Sequence, residues 1–282
     1  MNKWIKLNFK KLFRDSFLIA SGLVSFIYSI VPEKMFLCYR IFPDYSDETN
    51  VILNRVIFCS LIFFLSVIST GIYRIFRNKL SIKDDGYIIE IEYGDLFKTQ
   101  NCKKVINFDE CFTTTIGEAP HEIKSQSICG QYLSQYHLSE NDMKELIDKA
   151  KLKPLHGKSK YGKKDKYAPG TIVPIPQSEY LLMAFAKLDS DGLGVLTYEE
   201  FLACLSLLWR EIDKYHDYQD VCIPVLGAGI TRMNEALTQK DLLNIIILSY
   251  KLSNHKIKPP CKLRIVCRKC EGFSLTDFES YN

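Results

Sequence analysis

The sequence lacks a strong excess of charge of either sign. Its 282 residues carry 37 lysines and arginines against 33 aspartates and glutamates, which gives a formal net charge of +4 at pH 7. This bias is too small to indicate a nucleic-acid partner, since such partners favour strongly basic domains. The chain is long enough for one large or two modest domains with a substantial core.

Paired metal-binding motifs are missing as well. Cys267 and Cys270 have the CxxC spacing, with Cys261 nearby, but no second CxxC and no histidine pair follows. Because a tetrahedral zinc site needs a fourth ligand, the pattern favours cysteines of a strand and its tail over a metal site. The ten cysteines are scattered, and several lie in apolar runs, which is typical of reduced, packed thiols.

Two uncharged apolar runs stand in the N-terminal part, FLIASGLVSFIYSIV at 17–31 and VIFCSLIFFLSVISTGIY at 56–73. A membrane-spanning helix needs about 20 apolar residues. We therefore predict a transmembrane hairpin in residues 1–79, with helices at about 16–36 and 54–76. A signal peptide is an alternative for the first run, but it leaves the second run unexplained. A buried helical pair in a soluble protein is the other alternative.

The charges that flank the two runs predict the orientation of the hairpin. Basic residues precede the first run and follow the second, namely Lys3, Lys6, Lys10, Lys11, Arg14, Arg74, Arg77, Lys79 and Lys83. The connector carries residues of both signs. The positive-inside rule then places both termini in the cytoplasm and the connector outside.

Residues 80–282 have the periodicity of a mixed α/β domain. Strands are predicted at 87–93, 103–107, 171–175, 180–188, 220–226 and 262–267. Helices are predicted at 141–150, 198–215 and 239–252. Strands separated by helices indicate one sheet that is covered on both faces.

The segment DSDGLGVLTYEEF, residues 189–201, imitates a calcium-binding EF-hand loop. With Asp189 in the first position, the fifth position holds Leu193, whose side chain offers no oxygen ligand. The spacing of Thr197 and Glu200 instead predicts a capping box at the start of a helix. A turn followed by a helix is therefore the favoured interpretation, and a calcium-responsive anchor is the alternative.

The segment VCIPVLGAGITR, residues 221–232, changes character halfway. A buried strand gives way to Gly227, Ala228 and Gly229, which remove side chains where the strand ends. Backbone N–H groups of such a loop can form a concave anion site, and Thr231 and Arg232 can add polar contacts. The pattern is neither a lysine-containing P-loop nor GxGxxG, and a tight turn is the alternative.

Other predicted strands also end in small or polar residues. Gly94 and Asp95 follow one strand, and Asn107 ends another. Residues 127–131 (SICGQ) are predicted to form a further small-residue turn. Because open α/β sheets bind ligands beyond the carboxyl ends of their strands, we expect these loops to meet in one polar crevice.

These motifs resemble macro domains over residues 87–266. IEYGDLF looks like the strand and Gly-Asp signature, VINFDE looks like the strand that ends in asparagine, and PVLGAGITR looks like the diphosphate loop. Segments at 107–112, 127–131, 167–171 and 181–185, together with the apolar prefix, resemble the membrane-fused macro branch of bacterial Thoeris anti-phage defence. The predicted fold is therefore a macro-like mixed sheet flanked by helices, in residues 80–282, preceded by a two-helix transmembrane hairpin.

The resemblance implies a function. A TIR-domain partner makes an ADP-ribose derivative, such as a histidine conjugate, and the macro domain binds it. The protein assembles into a homo-oligomer and disrupts the bacterial inner membrane, which it crosses more than once, so that the infected cell dies or stops growing. No catalysis, cofactor, metal or nucleic acid is implied. The implied ligand-binding residues are Gly94, Asp95, Leu96, Asn107, Asp109, Glu110, Gly130, Gln131, Leu226, Gly227, Ala228, Gly229, Ile230, Thr231 and Arg232.

Two acidic residues depart from the macro pattern. Hydrolytic macro domains place a second asparagine where this chain has Asp109 and Glu110. Glu110 is a candidate contact to a cationic group attached to ADP-ribose, whereas Asp109 has core-edge hydrogen bonding as its alternative. A membrane-tethered ADP-ribosyl hydrolase is the competing function, in which either carboxylate activates water. Release of free ADP-ribose from ADP-ribosylated protein at catalytic rates would favour that alternative.

Overall fold

The computed structural model describes residues 2–37, 41–229, 231–233 and 237–281, without the side chains of residues 2–8, 33, 37, 232 and 233. The chain divides into two compact units, Met1–Asn78 and Lys79–Asn282.

The first unit is a pair of long helices, α1 (Asn2–Ile30) and α2 (Asp47–Phe76), with a short 3-10 helix at Glu33–Leu37 between them. The segments Phe9–Ile30 and Asp47–Phe76 are long and apolar enough to cross a bilayer, with mean hydropathies of 1.3 and 2.4. Large apolar side chains on both helices are exposed.

The helix ends differ from the expected bounds for local reasons. α1 ends at Ile30 rather than near residue 36, because Val31 precedes Pro32 and the α-conformation is disfavoured there. α2 begins at Asp47 rather than near residue 54, because the Ser46 hydroxyl accepts a hydrogen bond from the Thr49 N–H at 3.3 Å and caps the helix.

Polar contacts join the two helices. The Arg74 guanidinium lies 2.5 Å from an Asp15 carboxylate oxygen, and the Arg74 side chain is buried. The Ser66 hydroxyl donates to the Ser16 carbonyl at 2.9 Å. These contacts pair polar groups of one helix with polar groups of the other.

The second unit contains one mixed sheet flanked by helices, which confirms the predicted fold class. The strands are β1 (Lys79–Asp84), β2 (Tyr87–Tyr93), β3 (Cys102–Asp109), β4 (Ile172–Pro174), β5 (Tyr180–Leu188), β6 (Gly194–Leu196), β7 (Asp220–Pro224), β8 (Arg232–Met233) and β9 (Leu263–Cys267). The helices are α3 (Ile128–Tyr136), α4 (Glu140–Lys149), α5 (Tyr198–Tyr215) and α6 (Gln239–Leu252). Short 3-10 helices lie at Leu96–Lys98 and Leu275–Tyr281.

Within the described residues the strand order is β1-β2-β9-β7-β3-β5-β6-β8, and β4 pairs with β5. The five strands β2, β9, β7, β3 and β5 run parallel to one another. Their carboxyl ends therefore lie at the same edge of the sheet. This edge is where an open α/β sheet places its ligand.

Alternating side chains explain why both faces of the sheet are covered. On β3, Val105 packs into the core under α5 and α6, whereas its neighbour Ile106 packs into the core under α3 and α4. β5 repeats the alternation with Leu181 and Leu182. Trp209 of α5 is buried on the first face, where its indole N–H donates to the Ser249 hydroxyl at 2.8 Å.

All six predicted strands and all three predicted helices of this unit are present, with small differences at their ends. The prediction missed β1, β6, β8 and α3. β6 and β8 have three and two residues and are too short to show alternation. The expected turn at residues 127–131 was wrong, because Ser127 is the N-cap of α3.

Candidate functional site

A cavity of about 310 Å³ lies at the carboxyl ends of β3, β7 and β9. It is within the size range of small-molecule sites. The residues that line it are Asn107, Gln126, Ser127, Ile128, Pro224, Val225, Leu226, Gly227, Ala228, Gly229, Thr231, Gln239, Val266 and Arg268. The cavity brings together three strand ends and the beginnings of two helices.

The loop after β7 forms one wall of this cavity. Gly227 has a φ of 82°, which a residue with a side chain rarely adopts. The Ala228 N–H donates to the Val225 carbonyl at 3.2 Å and closes the turn. Among the described backbone hydrogen bonds, none uses the N–H of Gly227 or Gly229. A Cβ built on Gly229 would meet no heavy atom of the described residues within 4 Å, so these residues leave open space beside the loop backbone.

Two helix N-termini face the same cavity. The Ser127 hydroxyl accepts from the Gly130 N–H at 2.8 Å and caps α3, and Gln126, Ser127 and Ile128 line the cavity. Thr238 caps α6, whose first residue, Gln239, also lines it. Helix N-termini carry partial positive charge, and together with the loop they favour an anionic ligand group.

Asn107 lies in β3, two residues before the strand ends at Asp109, and lines the cavity. Its side-chain oxygen Oδ1 is buried and has no hydrogen-bond partner within the described part of the chain. Leaving a buried acceptor unpaired costs about 1–3 kcal/mol, which a ligand hydroxyl can recover by donating to it. Asn107 therefore points to a ligand that carries donors at this end of the cavity.

Two smaller cavities continue from the main one. The first, of about 50 Å³, shares Asn107, Ser127 and Thr231 with the main cavity. The second, of about 120 Å³, shares Asp109 and Leu188 with the first. The three cavities thus follow one another along the sheet edge, from the loop after β7 toward Glu110.

Asp109 and Glu110 differ in how they are held. The buried Asp109 carboxylate accepts from the Thr113 N–H at 2.7 Å, the Thr113 hydroxyl at 3.0 Å and the Cys111 N–H at 3.2 Å. Burial raises the pKa of the Asp109 carboxyl, and these hydrogen bonds oppose the shift.

Glu110 lines the outermost cavity and is 7% exposed. Its carboxylate accepts no hydrogen bond and forms no ion pair among the described residues. Burial raises the pKa of the Glu110 carboxyl above its ordinary value, against the attraction of Lys166 and Lys187. An acidic group that is buried and unpaired in a cavity is suited to a cationic ligand group.

The family of the chain follows from its sequence. A family model described as the macro domain of the Thoeris protein ThsA matches residues 89–268, more than half of the chain. The chain belongs to this family. The match confirms the resemblance that the strand-end motifs indicated.

A relative and several solved structures resemble this member of the ThsA macro-domain family. The Thoeris protein ThsA of Bacillus amyloliquefaciens (strain Y2) is 29% identical over 219 residues, which cover 73% of this chain and 72% of that protein. The Oceanobacillus iheyensis macrodomain with ADP aligns with a TM-score of 0.41 and 11% identity, over 72% of this chain and 92% of that one. The macrodomain of Thermus aquaticus DarG aligns with a TM-score of 0.40 and 12% identity, over 66% of this chain and 100% of that one.

Some of the residues implied by the resemblance line the main cavity of this ThsA macro unit. They are Asn107, Leu226, Gly227, Ala228, Gly229 and Thr231. Asp109 and Glu110 line the outer cavities instead. Ile230 and the side chain of Arg232 lie outside what the structure describes.

The residues after β2 have structural roles. The Asp95 carboxylate accepts from the Phe97 N–H at 3.0 Å and caps the short 3-10 helix, and Leu96 is buried in the core. Gly94 lies beside the cavity, because a Cβ built on it would be 3.8 Å from Val266. None of the three lines the main cavity among the described residues.

Gly130 and Gln131 lie within the first turns of α3. A Cβ built on Gly130 would be 2.3 Å from the Lys124 carbonyl oxygen, so the glycine allows the preceding loop to pack against the helix. The Gln131 side-chain amide donates to the Gln126 carbonyl at 3.1 Å. Both residues thus support the loop that lines the cavity, and neither lines it directly.

The implied ligand-binding residues did not include Gln126, Ser127, Ile128, Pro224, Val225, Gln239, Val266 and Arg268, all of which line the main cavity. A usable signal was present for Arg268, a basic residue that directly follows a predicted buried strand. A signal was also present for Ser127, because serine before an apolar residue is a preferred helix N-cap.

The segment that imitates a calcium loop forms a turn and a helix cap. The Asp189 carboxylate accepts from the N–H groups of Asp191 and Leu193 at 2.8 and 2.9 Å, which closes the turn. The predicted capping box of Thr197 and Glu200 is confirmed. In the part of the chain that the structure describes, no group of three or more acidic, histidine or cysteine residues is arranged to hold a metal ion.

Proposed function

We propose that the chain is an anti-phage defence effector whose α/β unit binds a signal derived from ADP-ribose. The observation that carries the proposal is the main cavity, whose Gly227 and Gly229 N–H groups and Asn107 oxygen have no hydrogen-bond partner among the described residues. Membership of the ThsA macro-domain family supports it.

The ligand would lie along the sheet edge with its diphosphate at residues 226–229. The N–H groups of Gly227 and Gly229 and the positive ends of α3 and α6 would contact the phosphate oxygens. The distal ribose would donate a hydroxyl hydrogen bond to Asn107 and extend into the 50 Å³ cavity. The adenine would occupy the side of the cavity near Val266, toward Gly94 and Asp95.

A group attached to the distal ribose would reach Glu110. We propose that this group is cationic, as in an amino-acid conjugate such as histidine-ADP-ribose. The unpaired carboxylate in the 120 Å³ cavity supports this assignment. His121, Lys160 and Lys164 line the same cavity, so a ligand with its own carboxylate finds basic partners there.

Replacing Glu110 with glutamine is expected to weaken binding of the histidine conjugate by about 10-fold or more, because a charged hydrogen bond contributes roughly 1.5–3 kcal/mol. Affinity for plain ADP-ribose should stay within about 2-fold. Since burial raises the pKa of Glu110, the preference for the conjugate should fall as pH decreases through that pKa. Calorimetry at several pH values measures the affinities for ADP-ribose and for the conjugate.

The matched control for this variant is Glu145→Gln, which removes a carboxylate that is 70% exposed on α4. It should leave both affinities unchanged. If Glu110→Gln weakens ADP-ribose and the conjugate equally, Glu110 acts on the shared part of the ligand and the assignment of the distal group is wrong.

The first unit would act on the membrane. We propose that both helices span the bacterial inner membrane with the termini in the cytoplasm, where a TIR-domain enzyme makes the signal. Ligand binding would favour a homo-oligomer in which the hairpins disrupt the bilayer, followed by cell death or growth arrest. To move such an equilibrium from 1:99 to 99:1, the ligand must prefer the assembled state by about 5.5 kcal/mol.

The test of this function uses the full chain in dye-loaded vesicles. We expect the conjugate to cause dye release and association of the chain, with both effects saturating over the concentration range in which the conjugate binds. Binding without release or association would show that the chain is a receptor but not a membrane effector. The absence of binding would contradict the proposal as a whole.

The alternative, an ADP-ribosyl hydrolase, needs a carboxylate free to activate water. Asp109 lines the 50 Å³ cavity, but its carboxylate already accepts three hydrogen bonds from Thr113 and Cys111. Glu110 lies farther along the sheet edge, in the outermost cavity. This placement favours a receptor over a hydrolase.

A further inference from the structure

The main cavity contains one formally charged residue among its described lining side chains, Arg268. It follows β9 directly, as the first residue beyond Cys267. The remaining described lining side chains are neutral. A diphosphate carries about two negative charges, so backbone amides and helix ends alone leave it without a full counter-charge.

The position of Arg268 relative to the loop follows from strand register. Val266 of β9 pairs with Pro224 of β7, and the Val225 N–H continues this pairing with a hydrogen bond of 3.3 Å to the Val266 carbonyl. Arg268 lies two residues beyond Val266, and Leu226 lies two residues beyond Pro224. Arg268 is therefore level with the start of the glycine loop on the neighbouring strand end.

The backbone of Arg268 is held by the side chain of Gln239. The Gln239 amide nitrogen Nε2 donates to the Arg268 carbonyl at 2.9 Å, and the Arg268 N–H donates to Gln239 Oε1 at 3.1 Å. The Gln239 side chain is free to do this because Thr238 and Asp241 already cap α6 with a capping box. One amide side chain thus pairs both backbone groups of Arg268, as a neighbouring strand would.

We propose that Arg268 is the residue that neutralises the diphosphate of the ligand and that Gln239 is its positioning residue. The proposal rests on the proposed function and adds a specificity determinant to it. Arginine suits the role because its guanidinium always carries charge and can donate two parallel hydrogen bonds to phosphate oxygens. Fixing the backbone reduces the freedom that the side chain loses on binding.

The test measures binding of ADP-ribose and of adenosine to the full chain in nanodiscs. We expect Arg268→Gln to lower the affinity for ADP-ribose by about 10-fold to 100-fold, because a charged hydrogen bond is lost. The affinity for adenosine should change by less than about 2-fold. Arg268→Lys should recover part of the loss, since it restores the charge without the paired geometry. Unchanged ADP-ribose affinity in Arg268→Gln, or an equal loss for adenosine, would overturn the assignment.

A double-mutant cycle tests the positioning role of Gln239. Gln239→Leu should lower the affinity for ADP-ribose by about 3-fold to 10-fold when Arg268 is present. In the Arg268→Gln variant it should have no further effect on that affinity. A purely structural role would give the same loss in both backgrounds and would refute the coupling. If the native chain binds no ADP-ribose, the proposed function itself fails, whereas binding that is insensitive to Arg268 refutes this inference alone.

Discussion

Replacing Gly229 with glutamate should abolish binding of ADP-ribose and its conjugates while the chain stays folded. A Cβ at this position meets no heavy atom of the described residues within 4 Å, so the substitution introduces no backbone clash at its first side-chain atom. The glutamate side chain would project into the space in front of the loop, where the diphosphate is proposed to lie. Placing like charges together costs several kcal/mol, which corresponds to a loss of more than about 100-fold in affinity.

The variant Gly229→Ala separates the effect of the introduced charge on affinity from the effect of replacing glycine. Its methyl group enters the same open space without charge, and we expect a change in affinity of less than about 10-fold. Calorimetry on the full chain measures affinity, and the fluorescence of the buried Trp209 reports folding during heating. Native-like affinity of the glutamate variant for ADP-ribose would show that the diphosphate lies elsewhere and would remove the basis of the proposed function.

The loop at Gly229 could be predicted from sequence because two independent signals coincide there. An apolar run of strand length precedes the glycines, and residues without bulky side chains follow it directly. The end of β3 near Asn107 gave a similar signal. Because β3 and β7 are parallel and adjacent, their carboxyl ends meet in the structure, as the sequence suggested.

The position of Arg268 directly after a predicted strand was a signal in the sequence, but its assignment to the site also requires knowing which strands are neighbours. β9 is the last strand in the chain, yet it is inserted between β2 and β7 in the sheet. The periodicity of apolar residues predicts that a strand exists, but it does not predict the position of that strand in the sheet. The partnership of Arg268 with Gln239 depends on the same topology, because it connects residues 29 positions apart.

Asp109 shows a different limit of sequence reasoning. In a sequence, an acidic residue directly after a predicted strand looks the same whether its carboxylate binds a ligand or closes a turn. In the structure Asp109 accepts hydrogen bonds from groups two and four residues ahead, which is a local turn that competes with ligand contact. The carboxylate of Glu110, the next residue, accepts no such hydrogen bonds among the described residues, and it lines the outermost cavity.

Gly130 and Gly94 were both assigned to the ligand site from sequence, and substitution by alanine should separate their roles. At Gly130 a Cβ would lie 2.3 Å from the Lys124 carbonyl oxygen and 2.8 Å from the Ser125 Cα. These are backbone atoms, so the loop at 124–127 must shift. At Gly94 the closest heavy atom would be Val266 Cγ1 at 3.8 Å, an ordinary contact.

We therefore expect Gly130→Ala to destabilise the α/β unit by about 1–3 kcal/mol, as overpacking does, despite the helix propensity of alanine, which opposes this by up to about 1 kcal/mol. At about 2–4 °C per kcal/mol for a unit of this size, its melting temperature should fall by about 5 °C. Gly94→Ala should change it by less than about 2 °C. Trp209 fluorescence during heating of the full chain measures both values.

Ligand affinity then distinguishes packing from direct contact at Gly130. The displaced loop carries Gln126 and Ser127, which line the cavity, so Gly130→Ala should weaken ADP-ribose as well as lower the melting temperature. A second substitution that restores stability elsewhere in the unit would leave the affinity low, because the loop stays displaced. An unchanged melting temperature together with lost affinity would instead mean that Gly130 meets the ligand directly, as the sequence motif alone suggested.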